Sequence, residues 1–288
     1  MNESIVEIGP DGRTGIITEP VKLNRDFPLI LFLNAGIISN TGPNRLYLHL
    51  SRGFAQNGFA SLRFDLADLG HLNVDHELTY EENHVNDILN IISVIEKNTG
   101  YNKFILLGLC SGGNLSIITA SRDERIVGVI PINANLVPLE HNRSIINLAR
   151  QKVKINYYKK NLFNLTRWLK IVSGESDFFR EFPKLLKTRK NIKKNNTEKK
   201  PEPYHKNSFD DLIRLMKSRL CLMIFTKGDI FLEIYKIAMK KPLKKIFRDY
   251  GANTDVIILG NVDHTFTLQW SQNMLCDKIC NYLRNKLN

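Results

Sequence analysis

Residues 104–114 constrain the fold more than any other part of the chain. The run 104–107 is continuously apolar, as in a strand covered on both faces, and 114–120 suits a helix. Between them lies Gly-Leu-Cys-Ser-Gly, with Cys110 at its centre. Strand and helix backbones pass very close at so tight a turn, so that only glycine fits two residues before and two after the projecting position. The pattern therefore predicts a strand–turn–helix unit that projects the side chain of Cys110.

Buried strands and amphipathic helices alternate on both sides of this turn. Continuous apolar runs predict strands at 28–34, 59–66, 126–132, 220–226 and 255–259. Helices are predicted at 44–56, 79–97, 231–239 and 268–287, with Thr79 capping the second and with Pro242 and a further segment to Tyr250 after the third. Residues 3–20 alternate around a turn signal, as in an antiparallel hairpin. This order predicts an α/β fold with a mostly parallel central sheet and helices on both faces.

The alternation is interrupted between residues 135 and 218. Aromatic and aliphatic residues recur there at loosely helical spacing, and 184–203 is a strongly basic stretch that ends in two prolines. We therefore predict an α/β core, 1–134 and 219–288, and a helical lid insertion, 135–218, that contains a basic, disordered loop. Substrate selection is expected to lie in the lid.

Composition limits the class of protein. The 288 residues are 43% hydrophobic and 24% charged, which is ordinary for a folded domain, and no run of 18 apolar residues predicts a transmembrane segment. The first residues lack the profile of a secretory signal, so a cytoplasmic location is expected. Cysteines stand at 110, 221, 276 and 280 without zinc or disulfide spacing, which indicates free thiols and neither metal nor cofactor.

The net charge of +12 predicts an anionic partner. Charge alone does not choose between nucleic acid, peripheral contact with an anionic membrane and an acidic protein. The basic stretch lacks a recognisable nucleic-acid module, which disfavours nucleic acid.

Four segments resemble the α/β-hydrolase superfamily, namely 33–37, 42–47, 62–66 and 108–112. Together they look like the α/β-hydrolases found beside bacterial exosortase and protein-sorting systems. A cysteine in the Gly-x-Nucleophile-x-Gly turn is the variant seen in dienelactone hydrolases. The resemblance implies an α/β-hydrolase fold with Cys110 as nucleophile. It also implies an oxyanion hole made of the backbone N–H groups of Ser111 and Ile37, with Gly36 as the alternative to Ile37.

Three candidate catalytic residues follow predicted strands in the order nucleophile, acid, histidine: Cys110, Asp229 and His264. The carboxyl ends of parallel strands share one edge of a sheet, so these residues can meet there. His264 would take the proton of the thiol or hold it as an ion pair, while Asp229 fixes the imidazole tautomer. Glu233 and Asp263 are the alternative acids, although Asp263 directly precedes His264 and would reach its ring poorly. Ser111 would be the nucleophile only if the turn were shifted by one residue.

These residues favour an acyl-transfer enzyme that works through an acyl-enzyme on Cys110. It would be a hydrolase of an ester or thioester, or an acyltransferase that passes the acyl group to an alcohol or amine. Small-molecule or carrier-bound acyl groups are the expected substrates, and an acidic carrier protein is a candidate partner for the basic loop. A non-catalytic binding protein on the same fold is the competing hypothesis, in which Cys110 is simply a small buried residue.

Overall fold

A computed structural model describes residues 1–9, 12–67, 80–135, 143–161, 206–250 and 253–287. Eight strands are found in these ranges: β1 (Asn2–Glu7), β2 (Thr14–Glu19), β3 (Leu29–Leu33), β4 (Ser61–Arg63), β5 (Phe104–Leu109), β6 (Ile126–Ile132), β7 (Leu220–Thr226) and β8 (Thr254–Leu259). They form one sheet in the order β1-β2-β4-β3-β5-β6-β7-β8. Strands β3 to β8 are parallel, whereas β1 and β2 form an antiparallel hairpin whose second strand pairs antiparallel with β4. The predicted α/β class and the mostly parallel sheet are confirmed.

The described helices connect these strands. They are α1 (Leu46–Gln56), α2 (Tyr80–Thr99), α3 (Ser111–Ala120), α4 (Arg143–Asn161), α5 (Lys206–Ser218), α6 (Ile230–Ile234), α7 (Lys240–Tyr250) and α8 (Gln269–Leu287). One 3₁₀ turn, Pro43–Arg45, precedes α1, and one π-helical turn, Tyr235–Met239, joins α6 to α7. No helix within the described ranges is long and apolar enough to cross a membrane.

The core lies on both faces of the sheet, as the continuously apolar strands predict. Alternate residues of β3 show this division. Leu29 and Leu31 pack with side chains of α2 and α3, whereas Ile30 and Phe32 pack with those of α1 and α8. Because each central strand is covered on both faces, the ends of the strands are where polar side chains can reach solvent.

Two elements differ from the predictions. Strand β4 is limited to Ser61–Arg63, because the chain then leaves the ladder and the Leu66 N–H donates to the Asn34 side chain (3.1 Å) rather than to a neighbouring strand. The predicted helix 231–239 is divided into α6 and the π-helical turn Tyr235–Met239, and the segment predicted to follow it is the helix α7, which contains Pro242.

The predicted lid is described only through α4 and α5, and the division into core and lid stays a prediction. The basic stretch 184–203 lies outside the described residues, as do the cap at Thr79 and part of the N-terminal turn.

Candidate active site

The turn between β5 and α3 projects Cys110 from the edge of the sheet. Cys110 has φ 56° and ψ −115°, a left-handed backbone that is costly for any residue but glycine. A Cβ atom on Gly108 would lie 2.2 Å from the carbonyl carbon of Gly112, and one on Gly112 would lie 2.5 Å from the carbonyl oxygen of Leu33. Both glycines are therefore needed for the close backbone contact, as predicted from their positions two residues before and after Cys110.

The structure brings the three predicted catalytic side chains together. His264 Nδ1 lies 2.5 Å from Asp229 Oδ2, and the Cys110 side chain is close enough to the imidazole ring to raise its pKa. Because Nδ1 faces the carboxylate, Nε2 is the nitrogen available to sulfur. The Asp229 side chain is only 6% exposed, whereas that of His264 is 35% exposed. The site thus combines a buried acid, a half-buried base and a partly exposed thiol.

Asp229 is held in place by the helix that follows it. Its Oδ1 accepts a hydrogen bond of 2.8 Å from the Phe231 N–H and caps α6, while Oδ2 faces His264. Both carboxylate oxygens are therefore engaged, which fixes the orientation of the carboxylate.

The pKa of His264 is raised from 6.5 to about 10. The hydrogen bond that the ring donates to the Asp229 carboxylate is the largest cause of this rise, the Cys110 side chain adds to it, and burial lowers the pKa. At neutral pH the ring is accordingly protonated between a carboxylate and a sulfur. An imidazolium in this position, next to the N-terminus of α3, stabilises a thiolate.

The two alternative acids have other partners. Glu233 is buried and its Oε1 lies 2.7 Å from Lys236 Nζ. The Asp263 carboxylate accepts hydrogen bonds from the hydroxyl groups of Thr265 (2.9 Å) and Thr267 (2.8 Å). Neither carboxylate contacts the imidazole ring in the interactions of the described residues, which leaves Asp229 as its acid partner.

The loop after β3, which holds the predicted oxyanion donors, is tied to the turn by Ser111. The Gly36 N–H donates to Ser111 Oγ over 2.7 Å, and Gly36 has φ 60°. Because the Gly36 N–H already donates to this hydroxyl, the Ile37 N–H remains the predicted second donor of the oxyanion hole. Ile37 is 89% exposed. The Ser111 backbone N–H lies in the first turn of α3, where helical N–H groups have no intrahelical partner.

A carboxylate holds the other end of this loop. Asp65 accepts from Asn34 Nδ2 (2.9 Å) through one oxygen and from Asn40 Nδ2 (2.6 Å) through the other. Asn34 Nδ2 also donates to the carbonyl oxygen of Ile38 (2.9 Å). The loop is thus fixed from β4 as well as from the turn.

Two further side chains join the strand ends around the site. The buried Tyr47 hydroxyl donates to the Leu33 carbonyl oxygen and accepts from the Leu109 N–H, both at 2.9 Å. Asn133, at the end of β6 with φ 44°, accepts from the Thr226 N–H (2.8 Å) and donates to the carbonyl oxygen of His264 (3.0 Å). Sequence analysis missed these roles because an aromatic residue in a helix and an asparagine after a strand are common patterns without a specific signal.

Replacement of Ser111 by alanine tests the tie to the loop. We expect kcat for an activated ester to fall about tenfold with KM nearly unchanged, because the loop loses its acceptor while the Ser111 backbone N–H is retained. The matched control is Ser116→Ala, which removes a hydroxyl that bonds to the Gly113 carbonyl (2.7 Å) on the same helix, away from the loop. Equal kinetics for wild type and S111A would contradict a positioning role.

Comparison with known proteins identifies the architecture. No protein-family model matches the sequence, and no curated protein is significantly similar to it. Dienelactone hydrolase from Anabaena variabilis superposes with a TM-score of 0.58 at 13% identity, covering 100% of this chain and 99% of that chain. The chain has the α/β-hydrolase fold. The narrower resemblance to hydrolases of exosortase systems stays a prediction.

Two other solved structures share this fold along their whole length. Proline iminopeptidase from Mycobacterium smegmatis has 13% identity, a TM-score of 0.58 and coverage of 99% of both chains. The esterase domain of a Rhodothermus marinus protein has 14% identity, a TM-score of 0.55 and full coverage of both chains. At such low identity the similarity establishes the fold alone.

Proposed function

We propose that the protein is an acyl-transfer enzyme, a hydrolase of esters or thioesters that forms an acyl-enzyme on Cys110. One observation carries the proposal. The imidazole of His264 lies 2.5 Å from the Asp229 carboxylate, and the Cys110 side chain is close enough to raise the pKa of the ring, at the carboxyl ends of three parallel strands. A nucleophile, a base and an acid in contact are the parts that covalent acyl transfer requires.

The reaction begins with attack of the Cys110 thiolate on the acyl carbonyl carbon. The oxyanion that forms accepts hydrogen bonds from the N–H groups of Ser111 and Ile37. When the intermediate collapses, the bond to the leaving oxygen or sulfur breaks and His264 donates its proton to that atom. In the second half, neutral His264 takes a proton from water, and hydroxide displaces the thiolate to release the acid.

Thioesters suit a thiolate particularly well, since attack exchanges one thioester for another at little cost in free energy. An alcohol or amine that replaces water in the second half makes the same site a transferase. The names of the similar structures, a dienelactone hydrolase and an esterase domain, accord with acyl chemistry at this fold's site.

The proposal is tested by identifying the adduct on the protein. Incubation with p-nitrophenyl acetate or a short acyl thioester, followed by acid quench and peptide mass spectrometry, is expected to place one acyl group on Cys110. C110A should carry none. Turnover without a covalent adduct, or an adduct confined to another residue, would contradict the mechanism.

Iodoacetamide labelling provides an internal comparison within the same protein. Cys221 is fully buried, and burial raises its pKa to about 12. We expect Cys110 to react much faster than Cys221 in the native protein. Equal and slow labelling of both would favour a non-catalytic binding protein.

A further inference from the structure

The parallel strands β3 and β5 end side by side at the candidate active site. At the start of their ladder the Leu29 N–H donates to the Lys103 carbonyl oxygen (2.9 Å), and at its end Leu33 pairs with Gly108. Hydrogen bonds in a parallel ladder are evenly spaced and alternate in direction between the two strands. Counted from the first bond, the last bond of this ladder would join the Leu109 N–H to the Leu33 carbonyl oxygen.

The Tyr47 hydroxyl engages both groups of that last pair. It accepts from the Leu109 N–H and donates to the Leu33 carbonyl oxygen, each over 2.9 Å. Tyr47 belongs to α1, which covers one face of the sheet. A side chain from a covering helix thus links two neighbouring strands at the position where a backbone bond would close their ladder.

The surroundings of Tyr47 fix the position of this hydroxyl. The ring is fully buried and its centroid lies 5.0 Å from that of Phe32. The Tyr47 N–H donates to the Thr41 carbonyl oxygen (2.9 Å), and a Cβ atom on Gly42 would lie 2.7 Å from Tyr47 Cγ. Burial raises the pKa of the hydroxyl above its ordinary value of 10.0, so the group stays protonated and can donate at neutral pH.

The bridge formed by this hydroxyl adjoins both halves of the predicted oxyanion hole. Leu109 directly precedes Cys110 and the turn that carries the Ser111 N–H. Leu33 is the last residue of β3 and leads into the loop that carries the Ile37 N–H. The spacing of the two strand ends therefore influences the spacing of the two predicted donors.

We propose that Tyr47 is a positioning residue that holds the ends of β3 and β5 apart and thereby sets the width of the oxyanion hole. The inference rests on the proposed function and specifies how its oxyanion is stabilised. Two hydrogen bonds through one hydroxyl oxygen span a wider gap than a single direct N–H···O bond. Oxyanion donors act only when they lie about 3 Å from the oxygen that becomes charged. A narrower gap would misplace the donors and leave the thiolate of Cys110 unchanged.

Replacement of Tyr47 by phenylalanine tests this role, because it removes the hydroxyl and keeps the ring. We expect kcat for p-nitrophenyl acetate to fall about 10- to 100-fold with KM nearly unchanged. The matched control is Tyr282→Phe, which removes a largely buried hydroxyl that donates to the Asn253 carbonyl oxygen (2.8 Å) at the opposite ends of the strands. Both variants should unfold at lower temperature than the wild type, but Y282F should keep its kcat. An equal loss of kcat in the two variants would overturn the inference.

Alkylation provides a second readout that a general loss of structure would not leave intact. Iodoacetamide reacts with the Cys110 thiolate without forming an oxyanion. Y47F should therefore be alkylated at the wild-type rate and with the wild-type pH dependence, while its acylation by the ester is slower. Parallel losses of alkylation and acylation, or wild-type kcat in folded Y47F, would contradict the positioning role.

A variant that retains the hydroxyl covers the case in which Y47F does not fold. Phe32→Leu removes the ring that packs against Tyr47 and should loosen the hydroxyl, which lowers kcat by a smaller factor and leaves alkylation unchanged. Unaltered kcat in F32L would then count against the inference. A Cys110 adduct in the wild type combined with wild-type kcat in Y47F would refute only the role of Tyr47. If the wild type forms no adduct on Cys110, the proposed function fails and this inference fails with it.

Discussion

The C110A variant is expected to lose acyl transfer by about 10⁴-fold or more in kcat/KM, measured with a p-nitrophenyl ester and with an acyl thioester. Cys110 is the partly exposed cysteine of the four, and the others are buried. Without the thiol no acyl-enzyme forms, and the remaining hydrogen-bond donors can assist only attack by water.

A matched variant isolates the role of the thiol. Cys221→Ala removes a buried sulfur from β7 and is expected to keep its activity apart from any loss of folded protein. Thermal unfolding of both variants, followed by circular dichroism, separates loss of function from loss of fold. Wild-type activity in folded C110A would eliminate the proposed nucleophile and return attention to Ser111 or to a binding role.

Asp229→Asn is expected to lower kcat by about 10³- to 10⁴-fold while the protein stays folded. The asparagine keeps the shape of the side chain, but it no longer holds the charged imidazole beside the thiolate. Because the hydrogen bond that His264 donates to Asp229 is the largest cause of the raised pKa of His264, that pKa should fall from about 10 towards 6.5.

The pH profile is the readout that a purely structural role would not move. His264 acts as the acid that protonates the leaving group, so wild-type activity should decline as the pH rises through about 10. In D229N the same decline should begin several pH units lower. The control is E233Q, which removes the nearby carboxylate that pairs with Lys236. Its activity should decline at the same pH as that of the wild type. If the activity of D229N declines at the same pH as that of the wild type, Asp229 does not set the charge of His264.

The sequence alone predicts the parts of this molecule that depend on local pattern. Apolar runs of strand length predicted the buried strands, and the spacing of Gly108 and Gly112 predicted the turn at Cys110. Both features were predictable because they depend on contacts between residues close in sequence. The order of Cys110, Asp229 and His264 after three strands was enough to expect their meeting, since parallel topology brings strand ends to one edge.

Hydrogen bonds between segments that are far apart in the chain could not be predicted from the sequence. The hydroxyl of Ser111 accepts from a glycine 75 residues earlier, and nothing periodic marks such a pair. The short β4 likewise depends on an Asn34 side chain that competes with the strand ladder. The helix α7 contains Pro242, whereas local propensity predicts a break at a proline.

The amide of Asn133 gives the site a mechanical property. One end of this side chain holds β7 just before the loop of Asp229, and the other holds the backbone of His264 itself. Asn133 thereby links the two loops, so that a displacement of one loop also displaces the other. A bulky substrate that pushes these loops outward would move Asp229 and His264 together away from the Cys110 sulfur. The distance between the carboxylate and the imidazole would stay the same, and both would return together once the substrate leaves.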